Sequence, residues 1–376
     1  MKYIFKAIYN YIKETDKTLI TLCMLVSTFS VFLLSGIYKS GLLASKRQIL
    51  VQIAAAVIGL ISAIIMSKID YKIMARLWKL HSALAYTLVI LTFFIGIKVS
   101  DFVDDRAWLP LPFGLTLQPS ELLKISFIVT FALHLQKESS NINNPKSLFF
   151  LCLHAAVPII LVMSQGDHGT ALIFIFIFLS MLFAAGLSFK YIIPAVALGI
   201  LCIPIGWHYL LSDDKKMRIL SIFNPALDPE GVGWQQMKGL LSIGSGQLWG
   251  SGLFAGKHHY VPELYNDFIF AFVGEALGFV GCISLIVILS FIVLKILMII
   301  PHSNDLLGKY ICVGVFAMFA FQILLNIGMC ISVLPVIGIT LPFVSAGGTS
   351  IVASYLGIGL ALSVYMHNHS SLFVGK

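Results

Sequence analysis

Residues 261–281 read VPELYNDFIFAFVGEALGFVG and open a largely apolar stretch that predicts a membrane-spanning helix over 265–294. A helix needs about 20 mostly apolar residues to cross about 30 Å of hydrocarbon. This stretch nevertheless carries Asp267 and Glu275, and an ionised carboxylate in hydrocarbon is energetically costly. We therefore expect both carboxyl groups to face a cavity, a protein partner or a substrate rather than lipid.

The rest of the chain has the same apolar character. Of its 376 residues, 59% are hydrophobic and 11% are charged, and this composition excludes an ordinary soluble globular protein. We predict an all-α polytopic membrane protein, with residues 1–376 forming a single integral membrane domain and one large extracytoplasmic loop at about 211–265. About ten transmembrane helices are predicted, at 18–38, 48–67, 80–98, 119–135, 147–164, 169–187, 189–210, 265–294, 310–333 and 344–366.

The distribution of Lys and Arg predicts the orientation of these spans. With the N-terminus inside, the cytoplasmic segments hold 14 basic residues and the outer segments hold 10, in the direction expected for membrane proteins. An even number of spans then places both termini in the cytoplasm. The formal charge of +8 comes without a basic stripe interleaved with aromatic residues, so anionic membrane lipids, and not nucleic acid, are the expected partner of these charges.

Cysteine and histidine residues give no indication of a metal centre. All six Cys residues lie inside predicted spans without CxxC spacing, which favours neither a disulfide framework nor a zinc site. The spacing of His168, His258 and His259 matches no standard zinc pattern.

Polar residues gather on the predicted outer side of the membrane. The loop 211–265 contains Trp234 and Trp249 among its glycines, so we expect it to re-enter the bundle or to lie in the membrane interface rather than to be solvated. Three shorter segments, 104–124, 164–170 and 334–350, fall on the same side. This convergence predicts a functional site there.

Several polar residues of this predicted site also have purely structural interpretations. Asp267 could be a helix-start residue, because carboxylates favour the positive end of a helix. Glu275 is expected to be protonated and hydrogen-bonded inside the bundle. Glu121 and Lys124 stand three residues apart on one helix face and could form a simple surface ion pair.

Five segments, in order along the chain, resemble the pattern of one known family. LQPSELLK (117–124) resembles its QPSE-xx-K segment, and QGDHGTALI (165–173) resembles its QPDLGTA segment. MRILSIFNPALDPEGVGWQQMKGLLSIGSGQLWGSGL (217–253) is similar to the Arg, Pro, Gln and IGSGG-x-G-x-GL pattern of its large outer loop. VPELYNDFIFAFVGEALGFVG resembles LPE-xx-TDFIFA-xx-EELGFIG, and LPFVSAGGTS (341–350) resembles LPFVS-x-GGSS. Across most of its length the chain resembles the shape, elongation, division and sporulation (SEDS) glycosyltransferases.

This resemblance implies an enzyme of the bacterial cytoplasmic (inner) membrane. Such an enzyme polymerises lipid II into peptidoglycan strands at the outer face and releases undecaprenyl pyrophosphate. The IGSG run favours the RodA-like branch, which acts in cell elongation and shape, over the FtsW-like branch, which acts in division. The resemblance also implies a single-span transpeptidase partner of the class B penicillin-binding type.

The resemblance assigns roles to individual residues. Asp267 matches the Asp of TDFIF and is expected to be the general base, because the acceptor sugar hydroxyl must lose its proton as the bond forms. Lys124 and Arg218 are expected to stabilise the pyrophosphate leaving group, with Glu121 orienting Lys124. Further substrate-binding roles are expected for Asp167, Gln235, Ser245, Glu275, Ser345, Gly347, Gly348 and Ser350. No cofactor is required by the pattern, although a divalent cation, Mg²⁺ or Mn²⁺, could accompany the pyrophosphate.

Two other classes of protein remain open. A lipid II flippase or another transporter would also hold charged residues in its bundle, usually near the midplane and between repeated halves. Here the acidic residues cluster near the outer face and no internal repeat is apparent, which favours catalysis. The second alternative is a scaffold without activity that recruits a wall synthase.

Overall fold

The computed structural model describes residues 11–98, 106–224, 227–228 and 231–370. Apart from one short β-hairpin, regular structure in these residues is helical, which confirms the predicted all-α class. The helices are α1 (Lys17–Lys39), α2 (Arg47–Lys68), α3 (Tyr71–Arg76), α4 (Trp78–Ile95), α5 (Pro119–Lys137), α6 (Pro145–Ser164), α7 (His168–Ala184), α8 (Phe189–Ile205), α9 (Asp213–Phe223), α10 (Val232–Ser245), α11 (Ile269–Ile299), α12 (Leu306–Cys330) and α13 (Gly348–Ser370).

Every predicted span coincides with one of these helices. Among the described residues, 8 helices are long and apolar enough to cross a membrane, and α7 is apolar but shorter. The chain is therefore a multi-pass membrane protein. Its orientation stays a prediction, and the terminal residues 1–10 and 371–376 lie outside the described residues.

Several helices begin at a polar side chain that caps the helix N-terminus. The Asp16 carboxylate accepts a hydrogen bond from the Leu19 backbone N–H at 3.0 Å, and Asp305 accepts one from the Gly308 N–H at 2.8 Å. Such caps satisfy backbone donors that have no partner inside the helix. Helix α5 begins without a side-chain cap, and Pro119 occupies its first position, where proline loses no helical hydrogen bond.

The core of the bundle lies around α12 and α13. In an apolar stretch of 18 residues, 67% of the residues of α12 and 78% of those of α13 are buried inside the protein. In the corresponding stretch that begins with α8, no residue is buried. A glycine allows α13 to approach α2 closely, because a Cβ at Gly359 would lie 2.8 Å from the Cα of Ala63. Contacts between small residues are typical of helix packing in membranes.

A β-hairpin precedes α5, and the sequence did not predict it. Strands β1 (Leu109–Leu111) and β2 (Leu115–Leu117) pair antiparallel, with Leu109 opposite Leu117. The Arg106 N–H donates to the carbonyl of Gln165 at 3.1 Å. This bond ties the hairpin to the turn between α6 and α7.

The predicted outer loop is folded back onto the bundle, as expected. Within it, α9 and α10 are helical and α10 packs against α11. Helix α11 is interrupted at Gly278, whose φ of 67° is non-helical. The turn at residues 246–252 fills this interruption: the Phe279 N–H donates to the Gln247 carbonyl at 2.8 Å, and the Ser251 N–H donates to the Glu275 carbonyl at 2.9 Å. The loop thus supplies the backbone partners that the broken helix lacks.

Candidate functional site

Asp267 lies two residues before the first residue of α11, at the end of the bundle that holds the hairpin. Its side chain is half-buried. Its backbone carbonyl accepts hydrogen bonds from Asn326 Nδ2 at 2.8 Å and from Cys330 Sγ at 3.4 Å. Two side chains of α12 therefore hold the backbone just before α11.

The irregular segment 334–341 joins Asp267 to the helices α7 and α13. Asn326 Nδ2 also donates to the carbonyl of Ile339 at 2.6 Å, and Thr340 Oγ1 lies 2.8 Å from Ser350 Oγ. On the other side, a Cβ at Gly169 would lie 2.3 Å from the carbonyl oxygen of Ile337. The structure thus brings the neighbourhoods of Asp267, Ser350 and Asp167 to one end of the bundle.

Asp167 is the centre of a buried polar cluster, the Asp167 cluster, formed with Gln118, Ser120 and Thr170. One carboxylate oxygen accepts from Gln118 Nε2 at 2.9 Å and from Ser120 Oγ at 3.5 Å. The other accepts from the Thr170 N–H at 2.9 Å and so caps α7. Burial raises the pKa of the Asp167 carboxyl above its ordinary value, and the hydrogen bonds from Thr170 act in the opposite direction.

Glu121 and Lys124 form a buried ion pair at the start of α5. Lys124 Nζ donates to Glu121 Oε1 at 2.8 Å, and the two side chains are 1% and 6% exposed respectively. The pairing therefore agrees with the spacing, but the pair is not on the surface. Both charges also interact electrostatically with Asp167, which joins them to the Asp167 cluster.

The turn at 344–350 is held by polar side chains of the first two helices. Gln52 Nε2 donates to the Ser345 carbonyl at 3.1 Å, and the Gly347 N–H donates to Gln52 Oε1 at 3.4 Å. Ser30 Oγ donates to the Val344 carbonyl at 2.5 Å. Ser345 uses its own hydroxyl within the turn, accepting from the Leu341 N–H at 2.7 Å.

Sequence reasoning missed Gln52, Ser30 and Asn326. The available signal was a polar side chain in an otherwise apolar span, which usually has a specific partner. Gly348, a predicted site residue, faces α2, because a Cβ there would lie 3.4 Å from Val51 Cγ1.

Residues of the outer loop reach the same segment 334–341. Arg218 Nη1 donates to the carbonyl of Val336 at 3.3 Å, and Gln236 Nε2 donates to that of Leu334 at 3.3 Å. Gln235 Nε2 donates to the Pro262 carbonyl at 3.0 Å. The Arg218 guanidinium is also close enough to His168 to interact with it electrostatically.

Glu275 lies deeper, where the outer loop meets α11. The residue is 2% exposed. Its carboxyl group accepts hydrogen bonds from Ser242 Oγ at 2.6 Å and from the His259 backbone N–H at 2.9 Å. The Nδ1 atoms of His258 and His259 lie 3.2 and 3.0 Å from the same carboxyl group. Hydrogen bonding of Glu275 inside the bundle is therefore confirmed, and the two histidine partners are new.

Two cavities in the described part of the chain have volumes of about 450 and about 430 Å³, and Asp267 lines neither. Ser245 lines the smaller one together with Met237 and His259. Among the described residues, no group of three or more His, Cys, Asp or Glu side chains could hold a metal ion.

The arrangement can be compared with known proteins. The family model described as "Cell cycle protein", which covers FtsW, RodA and SpoVE, matches residues 14–370. The chain belongs to this family. Sequence relatives agree with this membership along most of the chain.

Three relatives with different names are similar to this chain. The chain is 32% identical to stage V sporulation protein E of Bacillus subtilis, over 85% of this chain and 86% of the relative. It is 30% identical to a probable peptidoglycan glycosyltransferase FtsW of Trichlorobacter lovleyi, over 87% of this chain and 84% of that protein. The chain is 29% identical to peptidoglycan glycosyltransferase MrdB of Escherichia coli, over 84% of this chain and 85% of that protein.

Solved structures share the fold. A chain from a peptidoglycan synthase complex described as coordinating polymerization and crosslinking superposes with a TM-score of 0.81 at 23% identity, covering 94% of this chain and 98% of that chain. The rod shape determining protein RodA of Thermus thermophilus gives a TM-score of 0.68 at 22% identity, covering 93% and 96%.

Proposed function

We propose that this membrane protein is a peptidoglycan glycosyltransferase that polymerises lipid II and uses Asp267 as its general base. Two of the relatives above are named as peptidoglycan glycosyltransferases, and this supports the activity. The observation that carries the role of Asp267 is its position: a half-buried carboxylate at the start of a long helix, with its backbone held by Asn326 and Cys330.

The reaction requires a proton acceptor of this kind. A sugar hydroxyl is a poor nucleophile until its proton is taken by a positioned base as it attacks the anomeric carbon of the donor. The bond from that carbon to the pyrophosphate oxygen breaks in the same step, and its electron pair leaves with the pyrophosphate. A single displacement of this kind inverts the anomeric configuration.

The leaving pyrophosphate needs positive charge or hydrogen-bond donors. Lys124 and Arg218 are our candidates, because both belong to the network around segment 334–341 and the Asp167 cluster. Asp167, Glu121 and Glu275 are engaged by protein groups. We assign them to orienting the surrounding elements on which lipid II binds, together with Gln235, Ser245, Ser345, Gly347, Gly348 and Ser350. An accompanying Mg²⁺ or Mn²⁺ stays a prediction, and no step depends on it.

The cellular role and partner are part of the same proposal. We assign the chain to the outer face of the cytoplasmic membrane, to cell elongation rather than division, and to a complex with a class B penicillin-binding transpeptidase. The fold similarity to a chain of a peptidoglycan synthase complex supports the partner. Loss of the protein should round the cells if elongation fails and should give filaments if division fails instead.

An assay with purified protein and labelled lipid II tests the activity. The wild-type protein should form glycan chains, and Asp267→Asn should lower the rate by about 10²- to 10⁴-fold, the range for loss of a general base. Asp213→Asn is the matched control, because the Asp213 side chain is 99% exposed on the outer loop. Its rate should equal that of the wild type.

Three results would contradict the proposal. Full activity of Asp267→Asn would reject the assignment of the base. Transfer of unpolymerised lipid II between the leaflets of a vesicle, without glycan chains, would indicate a flippase. If neither glycan chains nor lipid transfer is observed with the transpeptidase partner present, the protein is a scaffold.

A further inference from the structure

The larger cavity lies at the end of the bundle opposite to Asp267. It has a volume of about 450 Å³ and opens between α4, α5 and α6. Trp78, the first residue of α4, and Lys137, the last residue of α5, line its mouth. The other ends of these two helices adjoin the hairpin and the Asp167 cluster, so the cavity is separate from the site described above.

A chain of polar groups runs along one wall of this cavity. His134 Nδ1 lies 3.0 Å from His154 Nδ1, and His154 Nε2 lies 3.3 Å from Thr130 Oγ1. One proton must therefore sit between the two Nδ1 atoms. If His154 donates it, neutral His134 carries its own proton on Nε2, and if His134 donates it, neutral His134 has a bare Nε2 that can only accept. The Thr130 hydroxyl donates to the Phe127 carbonyl at 3.1 Å, which favours His154 Nε2 as the donor to Thr130 and His134 Nδ1 as the donor to His154.

The cavity has a polar mouth and an apolar interior. Lys137 stands one turn beyond His134 on α5, and both line the cavity. Tyr86 and Val157 line its deeper part, and Tyr86 lies eight residues into α4, about 12 Å from Trp78 along the helix. Behind His154, the ring of Phe131 packs edge-on at 5.5 Å, which closes the inner wall with apolar surface.

We propose that this cavity binds an anionic glycerophospholipid, with its phosphate at Lys137 and one acyl chain between the helices. The volume lies within the range of about 300–1,000 Å³ found for small-molecule sites. Basic cavities between membrane helices attract lipid headgroups, and Trp side chains favour the same interfacial depth. Lys79 adds a further cation at the mouth, since its Nζ lies 5.8 Å from the Trp78 ring.

The acidic neighbour of this mouth is already engaged. Glu138 follows Lys137 directly, and its Oε2 accepts a hydrogen bond from Ser147 Oγ at 2.6 Å. Glu138 does not line the cavity, and the charged side chain that does, Lys137, is basic, so an anion is favoured over a zwitterion of the same size. This lipid site does not depend on the glycosyltransferase proposal, because no residue assigned to that reaction lines the cavity.

Native mass spectrometry of the delipidated full-length protein tests the proposal. Phosphatidylglycerol should bind more tightly than phosphatidylcholine with the same acyl chains. Lys137→Gln should weaken the affinity for phosphatidylglycerol by about fivefold. This corresponds to about 1 kcal/mol of binding free energy, the contribution of one cation near a membrane surface. Val157→Trp should reduce binding of both lipids by filling the chain site. Lys146→Gln, at an exposed position on α6 at the same end, is the matched control and should bind as the wild type does.

Each alternative outcome overturns the proposal. Equal binding of the two lipids, or an unchanged affinity in Lys137→Gln, would reject a phosphate site. Displacement of the lipid by millimolar inorganic phosphate would indicate a soluble anion, and preferential binding of a polyprenyl phosphate over phosphatidylglycerol would indicate a carrier lipid. If Val157→Trp does not fold, as judged by its melting curve, Lys137→Gln decides alone.

Discussion

Two aspartates at the same end of the bundle, Asp167 and Asp267, have contrasting surroundings. Asp167 is 5% exposed and accepts hydrogen bonds from two side chains and one backbone N–H. Asp267 is half-buried, and its backbone carbonyl accepts hydrogen bonds from Asn326 and Cys330. Burial with saturated partners suits a carboxylate that orders helices, whereas partial exposure suits one that exchanges a proton with an incoming substrate.

Acidic residues near one end of the bundle therefore differ in their burial and in their hydrogen-bond partners. From the sequence, the four carboxylates Glu121, Asp167, Asp267 and Glu275 are all site candidates, and Asp267 alone is expected to be the general base. Of these, three are buried against protein donors, and each should therefore matter to stability.

The largest loss of stability is expected for Lys124→Met. It leaves Glu121 as a buried charge without its partner, and breaking a buried pair in this way costs about 3–5 kcal/mol. The unfolding transition in detergent measures the change. The double variant Glu121→Gln, Lys124→Met removes both charges and should recover most of the lost stability. If the double variant is as unstable as the single one, packing rather than the unpaired charge is responsible.

The contact that joins the two aspartate regions is tested by Gly169→Ala. The added Cβ would lie 2.3 Å from the Ile337 carbonyl oxygen, and overpacking against backbone costs about 1–3 kcal/mol. Gly199→Ala is the matched control on α8, where an added Cβ meets nothing within 4 Å. The control should be about 0.5–1 kcal/mol more stable than the wild type, because alanine favours helix. Equal melting temperatures for the two variants would contradict the close contact.

Asp167→Asn tests the buried carboxyl group itself through pH. Exchange of a carboxyl for an amide should disturb the bond from Gln118 and cost about 1 kcal/mol. Because burial raises the folded-state pKa of Asp167 above its ordinary 3.8, its stabilising contribution is complete below the unfolded pKa and is lost as pH rises through the folded value. The stability difference between wild type and variant, measured by melting curves across pH, should therefore shrink with rising pH. A stability difference that grows with pH would mean that folding lowers the pKa of Asp167 instead of raising it.

The smallest change in stability is expected for Asp267→Asn. The exchange keeps the size of the side chain and the backbone bonds to Asn326 and Cys330, so it should alter the unfolding free energy by about 0.5 kcal/mol or less, while polymerisation falls. Melting curves recorded on the sample used for the activity assay give this comparison directly. A melting temperature lowered as far as that of Asp167→Asn would make the two aspartates equivalent and remove the contrast.

Much of this architecture was readable in the sequence. Apolar stretches of about 20 residues predict membrane helices because hydrocarbon excludes unpaired backbone groups, and each predicted span coincides with a helix. The Glu121 and Lys124 pairing followed from helical spacing, since residues three apart share a face. The family followed from five segments in the right order.

The tertiary structure alone decided which polar groups meet. Gln52 and Asn326 reach the turn at 344–350 and Asp267 from distant helices, and no local pattern encodes such pairs. The partition into buried and half-exposed carboxylates depends on how helices pack, and so do the interruption of α11 at Gly278 and the cavity at His134. Local sequence determines where a helix begins because capping and hydropathy act over a few residues, whereas burial is a property of the whole assembled bundle.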